Sequence, residues 1–510
     1  MKKYFVAILA LICCMATSMA AEPEYISDST YKELRHLADD ENDGDAQFTL
    51  GNYFYQQMVK GYSAEQSRQG AVRYWALARL NHHPQGTGNL AFCYRNGFGV
   101  DQDTVKASKL YVEAIGLGND ELVETFDAAA RDGSAFEALV LYQCASEGKG
   151  MAKNERLATQ YLTLAADAGD PTANLAVANL LYKNRDYVGA LDRYRRVPNP
   201  SENVRFRIAE LSIDSNPAQS MDSLLAMAAR DNVNAMEMLG KVYYNGIQTP
   251  VDMAAAASWN RRAAARGSHR AAWLLASQLI NGRGVERDYD QAIYFLENAA
   301  PAGYATALRD SITEAWEGTP FQDYLFSVAF MKAADYARAK TYLDAKGLKK
   351  LPGNDIRQAK LMAARGDASN AFKSLKKRAD KKEIAAYYPL AELLIEGRGT
   401  DKDEKLGLQY ALKGCEAGDP FAMCYAGLVY AKMGKYNDAF HYLSMADDLG
   451  VLTPEARDVY VKCYERGLGV EKDTSVAETI RKAVPTVRLV NVYTVARDIA
   501  DKKLASSKKK

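Results

Sequence analysis

Apolar and polar residues alternate with helical periodicity through most of the chain. In the stretch "AMEMLGKVYYNG" from Ala235 to Gly246, Ala235, Leu239 and Val242 fall on one face of a helix. The same frame recurs in other stretches, among them those that start at Ala46 and Ala422. A second frame places an aromatic residue and an Ala-Ala pair before a glycine, as in "FLENAAPAG", which ends at Gly303. Two helices per unit are therefore predicted, with the second one ending at such a glycine.

A Gly-x-Gly loop separates the two predicted helices and occurs five times. The first glycine is predicted to end the first helix in the left-handed conformation, and an Asp or Asn four residues after the second glycine is predicted to cap the next helix. The residues are Gly97, Gly99 and Asp103; Gly148, Gly150 and Asn154; Gly282, Gly284 and Asp288; Gly397, Gly399 and Asp403; and Gly467, Gly469 and Asp473. A phosphate-binding loop would normally occur once, after a β-strand, and an acidic cap would repel phosphate. We therefore interpret the loops as turns and not as nucleotide sites.

The step from Gly397 to Gly467 is 70 residues, or two units of 35, and the step from Gly246, which starts a worn copy of the loop, to Gly282 is 36. This spacing indicates a repeat protein. A helix pair of this size cannot bury its apolar face alone, so neighbouring pairs must stack. The predicted fold class is all-α, a right-handed α-solenoid of stacked antiparallel helix pairs. The frame breaks between Pro198 and Pro217 and between Gly347 and Asp355, where hinges are one interpretation. The expected divisions are a signal peptide at 1–20, a lead-in at 21–45, a repeat array at 46–317, degenerate helix pairs at 318–382, further repeats at 383–482, a capping helix at 483–501 and a disordered lysine-rich tail at 502–510.

The glycine loop and its flanking frames resemble the Sel1-like repeat, a subfamily of the tetratricopeptide-type helical repeats. The resemblance covers most of residues 46–482, with plainer tetratricopeptide-like copies at 184–235 and 318–382. It implies a non-catalytic scaffold in which the first helices line a concave groove that binds a peptide or another protein. Exported bacterial relatives imply a role in the cell envelope.

Composition and the N-terminus bear on partners and localisation. The chain has 510 residues and a formal net charge of +1, so no overall basic field favours nucleic acid as a partner. Lys2 and Lys3 precede the apolar run "YFVAILALICCM", and small residues precede a cleavage point after Ala20. This pattern predicts a secretory signal and a periplasmic or secreted protein. The run is short for a membrane span, and no other long apolar run exists, so the mature chain is expected to have no transmembrane segment.

Cleavage after Ala20 would leave five of the seven cysteines. Cys93, Cys144 and Cys463 each lie four residues before the first glycine of a loop, and this shared register favours buried packing positions. Cys415 and Cys424 flank a tight turn between two units, near disulfide distance. The pair is similar to the bridges of cysteine-rich Sel1-like proteins, although only one repeat here has it. A bridge and two separate thiols are both open at this point.

Other residues give little support for catalysis, metals or cofactors. The five histidines lack zinc-ligand spacing, and "DDENDGD" from Asp39 departs from a calcium-binding loop. Ser374 and Lys377 match the Ser-x-x-Lys nucleophile motif, but the motifs that accompany it in penicillin-recognising enzymes are missing. No catalytic, cofactor or metal residue is predicted, and the partner-binding residues and oligomeric state are not given by the sequence. The alternatives to a scaffold are a cell-wall or β-lactam-acting hydrolase and a structural spacer.

Overall fold

The computed structural model describes residues 25–299, 305–482 and 491–507. The signal peptide expected at 1–20 and the helix stop expected at Gly303 lie outside the described residues. Within the described residues the chain forms α-helices joined by short loops, with no β-strand. Consecutive helices pack in tandem pairs. The predicted all-α class of paired helices is therefore confirmed.

Two compact units divide the chain, an N-terminal unit ending at Leu211 and a C-terminal unit beginning at Ser212. The boundary lies in the stretch between Pro198 and Pro217 where the sequence frame breaks. Pro217 occupies the first turn of a new helix, the position in which a missing amide costs least. This boundary lies within residues 46–317, the stretch predicted from the sequence to be a repeat array.

The N-terminal unit contains the first helices of the chain. Their pairs are α2–α3, α4–α5, α7–α8 and α9–α10, and α6 is an additional helix between two pairs. The helices are α1 (Asp28–Asp39), α2 (Gly44–Tyr55), α3 (Ala64–Leu80), α4 (Pro84–Asn96), α5 (Thr104–Gly116), α6 (Asp120–Arg131), α7 (Ala135–Glu147), α8 (Glu155–Asp167), α9 (Pro171–Lys183), α10 (Tyr187–Arg195) and α11 (Glu202–Ser212), which reaches the boundary.

The C-terminal unit continues the paired arrangement. The pairs are α13–α14, α15–α16, α18–α19, α21–α22, α23–α24, α25–α26 and α27–α28. The helices are α12 (Pro217–Ala228), α13 (Val233–Asn245), α14 (Met253–Ala265), α15 (His269–Asn281), α16 (Tyr289–Asn298), α17 (Ala305–Asp310) with a π-helical turn (Ser311–Ala315), α18 (Pro320–Lys332), α19 (Tyr336–Leu343), α20 (Lys346–Lys349), α21 (Asn354–Ala364), α22 (Ala368–Ala379), a 3₁₀ turn (Ile384–Ala386), α23 (Tyr387–Glu396), α24 (Glu404–Glu416), α25 (Pro420–Lys432), α26 (Tyr436–Asp448), α27 (Pro454–Arg466), α28 (Thr474–Lys482) and α29 (Val492–Ser507).

The last helix differs from the sequence prediction in both extent and position. Helix α29 continues to Ser507, so residues 502–507 are helical, although a disordered tail was expected from residue 502. It packs against α18, in the middle of the unit, and not on the last repeat as a capping helix would. The reason is its apolar face, in which Val492, Ala496 and Ile499 join the buried core that contains Phe326 and Phe330 of α18.

Helices from the middle of the C-terminal unit also contact the loop between α26 and α27. The Tyr294 hydroxyl on α16 donates to the Leu452 carbonyl at 3.0 Å and accepts from the Leu452 amide at 2.9 Å. On α14, Nη1 of Arg261 donates to the Leu449 carbonyl at 2.9 Å. These bonds join residues that are 158 and 188 positions apart in the sequence. The unit therefore closes on itself, and the closure encloses the cavity described below.

Candidate functional site: a polar cavity in the C-terminal unit

The first glycine of each repeat loop lies at the end of a helix in the left-handed conformation. In all five loops it is the C-cap residue, and its amide donates to a carbonyl four residues earlier. A residue with a side chain would be strained at these backbone angles, which glycine adopts freely. These residues are Gly97, Gly148, Gly282, Gly397 and Gly467, with φ between 66° and 75°.

The second glycine and the acidic or Asn residue have separate structural roles. A Cβ on Gly284 would lie 2.1 Å from the carbonyl carbon of Met253, the first residue of α14, and the equivalent glycines, Gly99, Gly150, Gly399 and Gly469, also approach the backbone of an earlier helix. Oδ1 of Asp288 accepts from the Gln291 amide at 2.9 Å. The equivalent residues Asp103, Asn154, Asp403 and Asp473 also accept from amides in the first turn of their helices. The second glycine thus lets each loop pack against an earlier helix, and the acidic or Asn residue caps the next helix. These contacts assign the loops a structural role.

The cysteines in the described residues are buried free thiols. Cys93, Cys144 and Cys463 are fully buried in the register that the sequence indicated. Cys415 and Cys424 are two separate thiols in this structure, and the Cys424 thiol donates to the Val451 carbonyl at 3.3 Å, in the loop that closes the unit. Burial raises the pKa of Cys424 to about 12, and a protonated thiol is a poor nucleophile.

Ser374 lies on helix α22 and its side chain is half-buried, whereas that of Lys377 is exposed. Within the described part of the chain no hydrogen bond joins Ser374 to Lys377. Covalent catalysis needs a nucleophile that is hydrogen-bonded to a base. The described contacts of Ser374 and Lys377 do not include such a bond.

The cavity has a volume of 460 Å³ and lies where the closing elements of the C-terminal unit meet. One wall is the turn between α14 and α15 together with α16, and the other is the end of α26 with α27 and α28. The charged or titratable residues that line it are Asp231, Arg266, His269, Asp447, Asp448 and Arg457. Hydroxyl groups of Ser444, Tyr460 and Tyr464 add polar atoms to the same cavity. Cavities with convergent polar groups are the usual places for ligand binding.

Local backbone structure fixes the first wall. Gly267 has φ of +90° and turns the chain between α14 and α15. Ser268 caps α15, because its hydroxyl accepts from the Ala271 amide at 2.9 Å. Nδ1 of His269 lies 2.8 Å from the Asn298 carbonyl oxygen, which ties the start of α15 to the end of α16. Arg266 is the residue that follows α14, and this turn directs its guanidinium into the cavity.

Asp447 is the most buried carboxylate of the cavity, with 15% of its side chain exposed. Its Oδ2 lies 3.5 Å from Nη1 of Arg266. Burial raises the pKa of Asp447 to about 6, even though the nearby guanidinium of Arg266 opposes this shift. Desolvation therefore outweighs the ion pair, and the carboxyl group can exchange a proton close to neutral pH.

Arg457 reaches the cavity from α27. Its Nη2 donates to the Leu452 carbonyl at 3.0 Å. No carboxylate of the described residues lies within salt-bridge distance of its guanidinium, so Arg457 retains N–H donors for a ligand. Burial also raises the pKa of Tyr460 on the same helix, so its hydroxyl remains protonated and can donate.

A second ionic group lies on α16, α18 and α21, outside the cavity lining. Asp290 accepts from the Tyr324 hydroxyl at 2.5 Å and from Nζ of Lys360 at 2.8 Å. Burial would raise the pKa of Asp290, but the charge and hydrogen bond of Lys360 lower it below its ordinary value. These bonds tie three helices together and use the polar groups internally, which favours a structural role.

The described residues contain no group of three or more His, Cys, Asp or Glu side chains placed to hold a metal ion. None of the described helices combines the length and apolar composition that a membrane span requires. The sequence did not indicate Arg266, Asp447 or Arg457, since they belong to no shared motif and come together only through closure of the unit.

Comparisons with known proteins identify the repeat. The family model of the Sel1 repeat matches residues 86–119, 137–170, 233–268, 269–304, 384–419 and 462–478. Among solved structures, c5321, a protective antigen of uropathogenic Escherichia coli with an SLR fold, is 19% identical, with 92% of this chain and 90% of that chain covered and a TM-score of 0.18. A Sel1 repeat protein from Oxalobacter formigenes is 16% identical, with 97% and 99% covered and a TM-score of 0.19.

A third solved structure, the APC/C hetero-tetramer Cut9-Hcn1, is 14% identical, with 84% of this chain and 91% of that chain covered and a TM-score of 0.23. No curated protein matches the chain. Five of the six matches fall on helix pairs joined by a Gly-x-Gly loop, namely α4–α5, α7–α8, α15–α16, α23–α24 and part of α27–α28. The sixth match is α13–α14, whose loop keeps only the first glycine, Gly246. This chain therefore belongs to the Sel1-repeat family.

Proposed function

We propose that this chain is an exported helical-repeat scaffold that binds another protein and catalyses no reaction itself. A segment of the partner would enter the polar cavity of the C-terminal unit. The cavity is the observation that supports this most directly, since it combines 460 Å³ of space with charged and hydroxyl side chains from several helices. A partner there would contact repeats that are far apart in sequence and would depend on the closure of the unit.

Family membership supports the scaffold. Stacked helix pairs offer extended surfaces made of many side chains, and repeat proteins commonly use such surfaces to bind other proteins. The repeat loops share the Gly-x-Gly pattern of phosphate-binding loops, but their glycines and caps have their contacts within the fold. The ionic group of Asp290, Tyr324 and Lys360 and the Cys424 thiol also have hydrogen-bond partners inside the protein. By contrast, Arg457 in the cavity uses one of its N–H groups to bond the Leu452 carbonyl, and its other N–H groups have no acceptor among the described residues.

Site-specific photocrosslinking would test where the partner binds. Thr479 lies at the edge of the cavity and is exposed, so a photoreactive residue there should capture the partner in intact cells. Val188 of the N-terminal unit is 84% exposed and is the control position. We expect one dominant crosslinked protein from position 479 and none of it from position 188. Equal capture at both positions would show that the cavity is not the binding site.

A matched pair of arginine variants sharpens this test. In Arg457→Gln the crosslink from position 479 should be lost. Arg205 is the control, because its Nη1 donates to the Pro200 carbonyl at 3.1 Å, five residues earlier, just as Arg457 bonds to Leu452. Arg205→Gln should keep the crosslink, whereas loss in both variants would indicate a general effect on folding.

Export rests on the sequence of residues 1–20 and has its own test. We expect the chain purified from the envelope fraction to begin at Ala21, as measured by mass spectrometry of the intact protein. Deleting residues 2–20 should leave the protein in the cytoplasm. An unprocessed N-terminus in the cytoplasmic fraction of the wild type would contradict export and leave the scaffold proposal standing.

A further inference from the structure

Two guanidinium groups reach the cavity from opposite walls. Arg266 follows α14 and Arg457 belongs to α27. Arg266 is held loosely, since its nearest carboxylate oxygens, on Asp231 and Asp447, lie 3.5 Å from its nitrogens. Among the described residues, the Leu452 carbonyl is the one hydrogen-bond acceptor of the Arg457 guanidinium. A guanidinium has five N–H donors in a planar fork, so both residues have donors left for a ligand.

Asp447 is the most buried of the three carboxylates that share this space with the two arginines. Several elements bring charged or titratable groups to Asp447 or to the same cavity. The groups are Asp448 on its own helix, Asp231 before α13, Arg266 after α14, His269 on α15, Cys424 on α25, and Arg457, Tyr460 and Tyr464 on α27. The neutral form of Asp447 is accessible near pH 6, because burial disfavours the charge. Protonation of Asp447 would remove the buried counter-charge of Arg266, which then keeps only its 3.5 Å contact with the more exposed Asp231 among the described carboxylates.

We infer that the cavity binds a carboxylate group of its ligand, which replaces the charge of Asp447 beside Arg266 and also accepts from Arg457. This deepens the proposed function and rests on it for the ligand being part of a partner protein. Guanidinium and carboxylate groups match in shape and form paired, charge-assisted hydrogen bonds. The hydroxyls of Tyr460 and Tyr464 are further donors in the same cavity. The volume exceeds that of a carboxylate alone, so it can admit several residues of a polypeptide end as well as a free carboxylic acid.

Replacement of the Asp447 charge by the ligand carboxylate makes the binding affinity depend on pH. The ligand carboxylate enters as an anion while Asp447 takes up one proton, so binding consumes a proton above the pKa of Asp447. Affinity should therefore rise as pH falls from 8 towards 6, approaching about tenfold per pH unit at the upper end. A cationic ligand would show the opposite slope, because it would need Asp447 ionised.

Equilibrium dialysis of the full chain against three probes would test the inference. The probes are a randomised library of N-acetylated tetrapeptides with free C-terminal carboxylates, the same library with C-terminal amides, and succinate. We expect the free-carboxylate library to bind and the amidated peptides that lack acidic side chains to be excluded, with about tenfold tighter binding at pH 6 than at pH 7.5. Binding of succinate as tight as that of the peptides would assign the site to small carboxylic acids and keep the carboxylate inference.

Variants test the roles of single residues. Asp447→Asn is nearly isosteric and neutral, so it should bind the carboxylate peptides at pH 7.5 about as tightly as the wild type does at pH 6, with no remaining pH dependence. Arg457→Gln should lose binding at least tenfold, and Arg205→Gln should not change it. If Asp447→Asn fails to fold, the pH dependence of peptide binding by the wild type still tests the inference.

Three results would overturn the inference: no carboxylate probe binds at pH 6, binding weakens as pH falls, or Asp447→Asn binds carboxylates more weakly than the wild type. The photocrosslink from position 479 separates this failure from failure of the proposed function. The crosslinking yield could be the same in Asp447→Asn as in the wild type and the same at pH 6 and pH 7.5. That result would support the scaffold proposal and contradict the carboxylate site.

Discussion

Replacing Gly399 by alanine tests whether the second glycine of a repeat loop is needed for contact between neighbouring units. Gly399 has φ of +74°, and a Cβ there would lie 2.2 Å from the carbonyl carbon of Ala368 and 2.5 Å from the amide nitrogen of Ser369. The left-handed backbone alone costs alanine roughly 1–2 kcal/mol. Relieving the overlap requires the backbone of α22 to move, and overpacking of this kind costs typically about 1–3 kcal/mol more. We therefore expect Gly399→Ala to lower the free energy of unfolding by about 2–5 kcal/mol.

Gly418 is the matched control for this change. It follows the helix α24 that Gly399 precedes, its φ is +83°, and a Cβ there would meet no heavy atom within 4 Å. Gly418→Ala should therefore show only the backbone cost, roughly 1–2 kcal/mol. The difference between the two variants isolates the contact with α22 from the conformational preference of glycine.

Hydrogen exchange read out by mass spectrometry, on peptides from α23 to α25, measures the free energy of opening in this part of the chain. Urea unfolding followed by circular dichroism gives the accompanying change for the whole protein. Equal destabilisation by the two substitutions would refute the reasoning, since it would mean that no backbone lies against Gly399. A smaller effect in Gly399→Ala than in Gly418→Ala would refute it as well.

Three further predictions concern the C-terminal unit. Lys360→Met removes the partner of Asp290 and should cost about 1 kcal/mol at pH 7, because both side chains are partly exposed and the pair is screened. The loss should shrink as pH falls and Asp290 is protonated, and a pH-independent loss in urea unfolding would contradict the ion pair. Tyr294→Phe deletes both bonds to the closing loop and should cost about 1–3 kcal/mol, with the exposed Tyr187→Phe unchanged; equal effects would contradict the closure. Asp447→Asn should raise the thermal midpoint at pH 7.5 and not at pH 4, since burial raises the pKa of Asp447 and folding is penalised only where the group must ionise; a lower midpoint at pH 7.5 would contradict this.

The repeat frame could be predicted from sequence because its determinants are local. A glycine such as Gly397 ends a helix, and six residues later Asp403 caps the next one, so each loop is specified within one short segment. Repetition then strengthened the interpretation, because an isolated Gly-x-Gly could equally precede a nucleotide site. The helix pairs around residues 320–379 followed from apolar periodicity even without the glycine loop.

The position of α29 and the cavity could not be predicted, because they depend on contacts between distant segments. The apolar face of α29 is visible in the sequence, but any exposed apolar stripe in the unit could have received it. Helix α6 likewise lies between two helix pairs, and neither of the two repeat frames in the sequence predicts it. Arg266 and Asp447 are 181 positions apart and lie in different places within their repeats, so no spacing rule relates them.

The cavity forms only when the C-terminal unit closes, so ligand binding is linked to the stability of the closed unit. Arg266 and Arg457 are on opposite walls, so a carboxylate bound by both would join the turn after α14 to α27, alongside the bonds of Arg261 and Tyr294 to the closing loop. A ligand that binds only the closed unit stabilises it by mass action, about 2.7 kcal/mol when its concentration is a hundred times the dissociation constant. Protection against hydrogen exchange should therefore rise at residues 449–452 when the cavity is filled and stay constant in α4 of the N-terminal unit.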